Sequence, residues 1–254
     1  FFKPNTPYEI LSGLVGSEMC IRDRTCVAEP MKGYISDLSQ KDNIKVIYNG
    51  ASDELLNLKA NKSEFDYEQD FFYTYAGNIG HAQDIITVVK AFSKFLSDNK
   101  NKNCYLNLIG NGPEKENVMH FSKNLFSNDM IIFKEEVQKK ELRKELLSSH
   151  VLIIPLIESD IFELTIPSKV FDYMTFQIPI VSTIAGEGKE ILSKSKSNIN
   201  TKLTVDDLAE SFSDMYMNYK KYNSCSVQNK LIVQNYTRTN SNIEFMKILN
   251  EINK

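Results

Sequence analysis

The chain reads Val151-Leu152-Ile153-Ile154-Pro155, then Ile166-Pro167-Ser168-Lys169-Val170-Phe171-Asp172-Tyr173-Met174, then Ile178-Pro179-Ile180-Val181-Ser182. The first run is apolar and short, as in a buried strand, and the second begins with a proline, which is common at the first position of a helix. The third run is again strand-like. A strand, a helix and a strand in this order predict two parallel strands joined by a crossover helix.

The same alternation extends outward from these runs. Strands are predicted at residues 71–76, 105–109 and 130–133, and helices at 85–96, 114–125 and 140–147. The strands are nearly continuous apolar runs with short connections, which is typical of a parallel sheet covered on both faces. The predicted fold is therefore α/β, a doubly wound, Rossmann-like parallel sheet, followed by C-terminal helices at 205–219, 227–236 and 242–252.

The composition excludes several classes of function. The chain has 254 residues and a net charge of −3, which argues against nonspecific binding of nucleic acid. It has four cysteines, without a C-x-x-C pair or a Cys/His cluster that would indicate zinc. The cytoplasm is the expected compartment, and no metal site is expected.

Two glycine-containing loops follow predicted strands. Gly77-Asn78-Ile79-Gly80 and Gly110-Asn111-Gly112-Pro113 each lead from a strand into a helix, where a backbone without side chains can approach a phosphate. Each pattern alone fits a tight turn without a ligand equally well. Neither is the G-x-G-x-x-G fingerprint, which counts against an NAD enzyme.

The predicted helix after Pro167 carries the strongest functional signal. Lys169 and Asp172 lie three residues apart on one face, just beyond the carboxyl end of a strand, where open α/β sheets bind phosphorylated ligands. Lys169 can contact a diphosphate, and Asp172 can accept hydrogen bonds from ribose hydroxyls. A surface ion pair between the two side chains is the alternative.

At these residues the chain resembles the C-terminal, donor-binding domain of GT-B glycosyltransferases of the family-4 type. The resemblance is greatest to the bacterial branch that builds surface polysaccharides, including fucosamine and colanic-acid transferases. It is carried by residues 75–80, 109–113, 167–174 and 236–238. It implies retaining transfer of a sugar from a nucleotide-diphosphate sugar to a glycan or lipid-linked acceptor, without a metal or another cofactor. A lipid-linked acceptor would place the protein peripherally at the inner face of the membrane.

The resemblance also implies which residues surround the donor, with Lys169 as the catalytic group that faces the diphosphate and Asp172 in the ribose-binding place. The donor-binding residues are Gly77, Asn78, Ile79, Gly80, Gly110, Gly112, Pro113, Val137, Glu163, Leu164, Thr165, Ile166, Pro167, Ser168, Lys169 and Asp172. The chain departs from the family where an Arg and a Lys are usual, at Asn78 and Gln83, and where a Glu is usual, at Leu164.

The resemblance also implies a domain organisation. Independently of this family, the stretch from Pro7 to Arg24 resembles translated sequencing-adapter read-through, so residues 1–24 are expected to be non-native, with a genuine short helix as the alternative. Residues 25–70 are expected to be a remnant of an N-terminal acceptor domain with its linker, residues 71–236 the nucleotide-sugar-binding domain, and residues 237–254 a C-terminal helix. A chain truncated in this way is expected to have little or no activity alone.

Three other functions are alternatives to sugar transfer. They are a nucleotide-sugar epimerase, a nucleotide-binding module that works with a separate partner chain, and an inactive domain.

Overall fold

The structure is a computed structural model, which describes residues 24–40, 43–57, 70–99, 103–125 and 130–252. Its strands are β1 (Arg24–Cys26), β2 (Ile44–Val46), β3 (Phe71–Ala76), β4 (Cys104–Ile109), β5 (Ile131–Lys134), β6 (Val151–Ile154), β7 (Ile180–Ser182) and β8 (Ile199–Asn200). Its helices are α1 (Glu29–Ser39), α2 (Asp53–Leu56), α3 (Ile85–Asn99), α4 (Lys115–Leu125), α5 (Lys139–Leu147), α6 (Asp160–Glu163), α7 (Ser168–Thr175), α8 (Gly186–Ser193), α9 (Val205–Met217), α10 (Tyr219–Cys225), α11 (Val227–Val233) and α12 (Arg238–Ile252).

Strands β3 to β8 form one six-stranded sheet in the order β5-β4-β3-β6-β7-β8, and every pairing in it is parallel. The chain proceeds outward from β3 to β5, then crosses to the other side of β3 and continues through β6, β7 and β8. This reversal is the topological switch point of a doubly wound sheet, and ligands bind in the crevice beyond the carboxyl ends of the strands there. The predicted fold class is confirmed.

The side chains of strand β3 contribute to two hydrophobic cores, one on each face of the sheet. Phe71, Tyr73 and Tyr75 are fully buried on the face that α3 and α9 cover. Ala76 belongs to the other core, with Leu152 and residues of α7 and α11. Side chains alternate between faces along a strand, so a strand buried on both sides has no polar stripe and reads as an apolar run.

The segment before the large sheet forms a small unit of its own. Strands β1 and β2 pair in parallel, with Arg24 opposite Ile44. Farther on, Ala51 forms a parallel bridge with Thr237, directly before α12. Of the segment predicted to be non-native, residues 1–23 lie outside the described residues, and Arg24 begins β1. Most of the predicted linker after residue 57 also lies outside them.

The observed bounds differ from the predicted ones mainly at the ends of elements. Helix α12 begins at Arg238, four residues before the predicted start, and α11 ends at Val233 rather than at residue 236. The predicted N-cap of α9 is confirmed, since the Thr204 hydroxyl accepts a hydrogen bond from the Asp207 backbone N–H at 3.2 Å. Several short elements were not predicted: β1, α2, α6, α8, β8 and α10.

Candidate functional site

The loops after β3 and β4 pack against each other, backbone to backbone. The Ile79 backbone N–H donates to the Asn111 carbonyl at 2.8 Å, and the Gly77 N–H donates to the Ile109 carbonyl at the same distance. A Cβ atom at Gly110, whose φ is +135°, would lie 2.1 Å from the Gly77 carbonyl oxygen. The glycine at position 110 is therefore required by loop packing itself.

Lys169 extends from the first turn of α7 to the loop after β3. A Cβ atom at Gly77 would lie 2.4 Å from the Lys169 Nζ atom, so the ammonium occupies the space that the missing side chain leaves. The same Nζ lies 5.2 Å from the centroid of the Tyr75 ring. Burial lowers the pKa of Lys169, and the charge of Asp172 opposes this shift. Two residues that the sequence predicts for the site, Gly77 and Lys169, are thus in contact.

Asp172 is one turn farther along α7, and its side chain is partly buried. Burial raises the pKa of Asp172, whereas the charge of Arg238 and a backbone hydrogen bond from Ser52 lower it. Among the ion pairs of the described residues, none joins Lys169 to Asp172 directly. The geometry therefore does not support the alternative in which Lys169 and Asp172 form a surface ion pair.

Two adjoining cavities lie at this edge of the sheet. One, of about 460 Å³, is lined by Ser168, Lys169 and Asp172 of α7, among others. The other, of about 470 Å³, is lined by the glycine loops and by Val137. Both include Ala76, Lys139 and Leu142 in their walls, so they lie side by side, and together they make up the cleft. The predicted residues that the cleft brings together are Gly77, Asn78, Gly110, Gly112, Val137, Ser168, Lys169 and Asp172.

The remaining predicted residues do not line these two cavities. Ile79 is fully buried beneath its loop, and Pro113 is exposed. The stretch from Glu163 to Pro167 (Glu163, Leu164, Thr165, Ile166 and Pro167) leads from α6 into α7 and lies against α8. A Cβ atom at Gly186, the first residue of α8, would be 2.5 Å from the Glu163 carbonyl oxygen. Their predicted contact with a donor remains a prediction.

The structure adds three basic residues that the sequence did not assign to the site. Lys139 and Arg143 of α5 and Arg238 of α12 line the same cavity as Lys169. Arg143 forms an ion pair with Glu54 at 2.6 Å, and the Arg238 Nε donates to the Gly50 carbonyl at 3.2 Å. The only sequence signal was that Arg238 belongs to a stretch that resembles the family.

The two positions where a basic pair is usual in the family carry neutral side chains that pair with each other. The Asn78 and Gln83 side chains, which stand where a basic pair is usual, are hydrogen-bonded to each other at 3.5 Å. The Gln83 side-chain oxygen also accepts from the Gly80 backbone N–H at 3.2 Å. The two amides therefore stabilise the loop, and the positive charge of the cleft comes from α5, α7 and α12.

The described residues contain no group of three or more His, Cys, Asp or Glu side chains placed to hold a metal ion. In that same part of the chain, no helix combines the length and the apolar character needed to cross a membrane.

The family is decided by a match to residues 57–231, more than half of the chain, with the model of "Glycosyl transferases group 1". The chain belongs to this family. Among curated proteins, no match to the chain was found. The glycosyltransferase fold is that of the GT-B class, in agreement with the sheet order described above.

Solved structures resemble this glycosyltransferase over nearly its whole length. A glycosyltransferase from Rickettsia africae has a TM-score of 0.77 at 14% identity and covers 100% of this chain. Anabaena HepE, solved in complex with UDP and glucose, has a TM-score of 0.72 at 12% identity and covers 89%. WaaG, a glycosyltransferase involved in lipopolysaccharide biosynthesis, has a TM-score of 0.67 at 9% identity and covers 83%. At these identities the likeness concerns the fold, and the chain spans 69%, 62% and 58% of the lengths of these proteins.

Proposed function

We propose that this chain binds a nucleotide-diphosphate sugar and forms the donor-binding part of a glycosyltransferase whose acceptor is a glycan or a lipid-linked sugar. The observation that carries this proposal is the contact between the Lys169 ammonium and Gly77 at the switch point of the sheet. A cation is held there against a backbone without a side chain, beside the carboxylate of Asp172. Family membership supports the reaction class.

The cleft offers a different chemistry to each part of the donor. The Lys169 ammonium and the loop that begins at Gly77 face the diphosphate, and Asp172 accepts from the ribose hydroxyls. The base lies in the adjoining cavity, beside Gly110 and Val137. UDP in the HepE complex makes UDP the first ligand to test.

The role of Lys169 follows from the charge that develops during transfer. The bond between the anomeric carbon and the diphosphate oxygen breaks, and a bond forms from that carbon to the acceptor hydroxyl oxygen, whose proton passes to the leaving diphosphate or to solvent. The leaving diphosphate oxygen gains negative charge in this step. A cation placed in advance on that oxygen stabilises the transition state more than the ground state. Arg238 and Lys139 add positive charge to the same cavity, which offsets the neutral residues at Asn78 and Gln83.

The finer assignments belong to the same proposal. They are the family-4 type, the fucosamine or colanic-acid branch, transfer without a metal, and a cytoplasmic location with peripheral contact at the inner membrane face. They also include residues 25–70 as part of an acceptor domain with its linker, and weak or no activity of the chain alone. The part that WaaG plays in lipopolysaccharide biosynthesis supports an acceptor in the cell envelope.

The test is calorimetric titration of the full chain with UDP, GDP and ADP. We expect one diphosphate to bind selectively, and Lys169→Ala to weaken it about tenfold or more, as expected for the loss of a charged hydrogen bond. Lys189→Ala, at an exposed position of α8, is the matched control. Absence of binding by all three diphosphates would refute the proposal, as would equal losses in the two variants.

The reaction is tested with nucleotide sugars, by measuring the free diphosphate that is released and by identifying the sugar product. Sugar transfer that persists in EDTA would support catalysis without a metal. An epimerised sugar still attached to its nucleotide would instead support the epimerase alternative. Binding without turnover until a second chain is added would support the binding module.

A further inference from the structure

Tyr75 lies directly beneath the cleft, next to the last residue of β3. It is fully buried, the Lys169 Nζ lies over its ring at 5.2 Å from the centroid, and its hydroxyl donates to the Asn78 carbonyl. We infer that Tyr75 is a positioning residue, whose ring holds the Lys169 ammonium against Gly77 and whose hydroxyl sets the shape of the Gly77–Gly80 loop. This role rests on the proposed function, because it concerns the site for the donor diphosphate.

The ring has a reason to attract the ammonium. Among the described residues no carboxylate forms an ion pair with Lys169, and burial disfavours its charge. The negative face of an aromatic ring attracts a cation most effectively where water is excluded. Tyr75 therefore keeps a charged group in a partly buried place without neutralising it, and the ammonium stays available to an anionic ligand.

The Tyr75 hydroxyl contacts the other part of the same site, the Gly77–Gly80 loop. It reaches past Gly77 to the Asn78 carbonyl, and it would lie 3.3 Å from a Cβ atom at Gly77. The end of β3 is held separately, because the Tyr173 hydroxyl accepts from the Ala76 N–H at 2.9 Å and donates to the Ala76 carbonyl at 3.1 Å. Loss of the Tyr75 hydroxyl would thus loosen the loop at Asn78 while leaving the strand end in place.

Tyr73 provides an internal control for an ordinary core role. It lies on the same face of β3, is fully buried, and its hydroxyl donates to the Phe212 carbonyl of α9 at 2.6 Å. Its hydrogen bond is of the same kind, but it joins β3 to α9, and the Tyr73 ring packs against Phe92, Phe95 and Phe212 of α3 and α9. A purely structural effect of removing a buried tyrosine hydroxyl should therefore be similar at both positions.

The experiment titrates the full chain with the diphosphate that binds among UDP, GDP and ADP, and with the matching monophosphate. We expect Tyr75→Leu to weaken the diphosphate about tenfold, through loss of the ring beneath the ammonium, and the monophosphate much less. Tyr75→Phe, which keeps the ring, should recover part of that loss. Tyr73→Phe should lower the melting temperature and leave both affinities unchanged.

A double-mutant cycle decides whether Tyr75 acts through Lys169. In the Lys169→Ala background, Tyr75→Leu should weaken the diphosphate no more than Tyr75→Phe does in the wild type, because the target of the ring is gone and only the hydroxyl contact with the loop is lost. Full persistence of the loss there would overturn the inference, as would equal losses for the two phosphates or an equal effect of Tyr73→Phe. If Tyr75→Leu does not fold, Tyr75→Phe with an unchanged diphosphate affinity overturns the assigned loop contact. A wild-type chain that binds no diphosphate would refute the proposed function itself.

Discussion

Substitution of Gly77 by alanine tests the geometry of the cleft most directly. The residue has a φ of +147°, and its added Cβ would lie 2.4 Å from the Lys169 Nζ and 2.5 Å from Cε. These are the end atoms of a flexible side chain, so the lysine can move aside rather than force the backbone apart. We therefore expect Gly77→Ala to fold and to bind the donor poorly.

The expected magnitudes separate stability from binding. Holding a non-glycine residue in this backbone region costs about 1–3 kcal/mol of folding free energy. Displacing the ammonium from a diphosphate removes a charge-assisted hydrogen bond worth about 1.5–3 kcal/mol, which corresponds to roughly 10- to 150-fold in affinity. Gly110→Ala should be more disruptive to the fold, because its Cβ would meet the Gly77 carbonyl oxygen at 2.1 Å, and that atom belongs to packed backbone.

The assay combines thermal unfolding with calorimetric titration of the nucleoside diphosphate. Gly33→Ala is the control, since a Cβ atom there meets nothing within 4 Å on an exposed helix position, and it should stabilise α1 slightly. If Gly77→Ala binds the diphosphate as tightly as the wild type, the Lys169 ammonium does not face that ligand. A fall in the melting temperature by itself would show only the cost of the backbone conformation at residue 77.

Three further outcomes are expected. The Phe72 N–H donates to Nδ1 of His150, and burial lowers the pKa of His150 to about 4. As the pH falls, His150 therefore takes up a proton in the unfolded chain before it does so in the folded chain. The free energy of unfolding, measured by urea titration, should therefore fall by up to about 3 kcal/mol from pH 6.5 to pH 4. If the free energy of unfolding of His150→Asn falls as steeply with pH as that of the wild type, this expectation is wrong. Arg238→Gln should weaken diphosphate binding several-fold and reduce its salt dependence, whereas an equal effect of the exposed α12 variant Lys247→Gln would argue against a local contact. Asn229→Ala removes a buried amide that donates to the Ile178 carbonyl at 3.0 Å, so denaturant unfolding should show a loss of about 1–3 kcal/mol with diphosphate affinity unchanged; a loss below this range would mean that the amide is not essential.

The sequence predicted the large sheet because its strands are buried on both faces. Short, continuous apolar runs such as residues 71–76 and 151–154 are typical of strands that are buried on both faces of a parallel sheet. The proline before α7 indicated where that helix begins. The short elements α2, α6 and β8 escaped prediction because a few residues carry no usable periodicity. Their conformation depends on tertiary contacts, such as the burial of Leu55 of α2 in the core that includes α7.

The candidate site was likewise predicted only in part from the sequence. The sequence by itself determined that Lys169 and Asp172 share a helix face, and that glycine loops follow two strands. Only the tertiary structure decided that the Lys169 ammonium fills the space at Gly77 above the Tyr75 ring, and that Arg238 lines the same cavity. The reason is physical: spacing along one helix follows from local geometry, whereas contact between distant residues depends on strand order and on how the helices pack across the sheet.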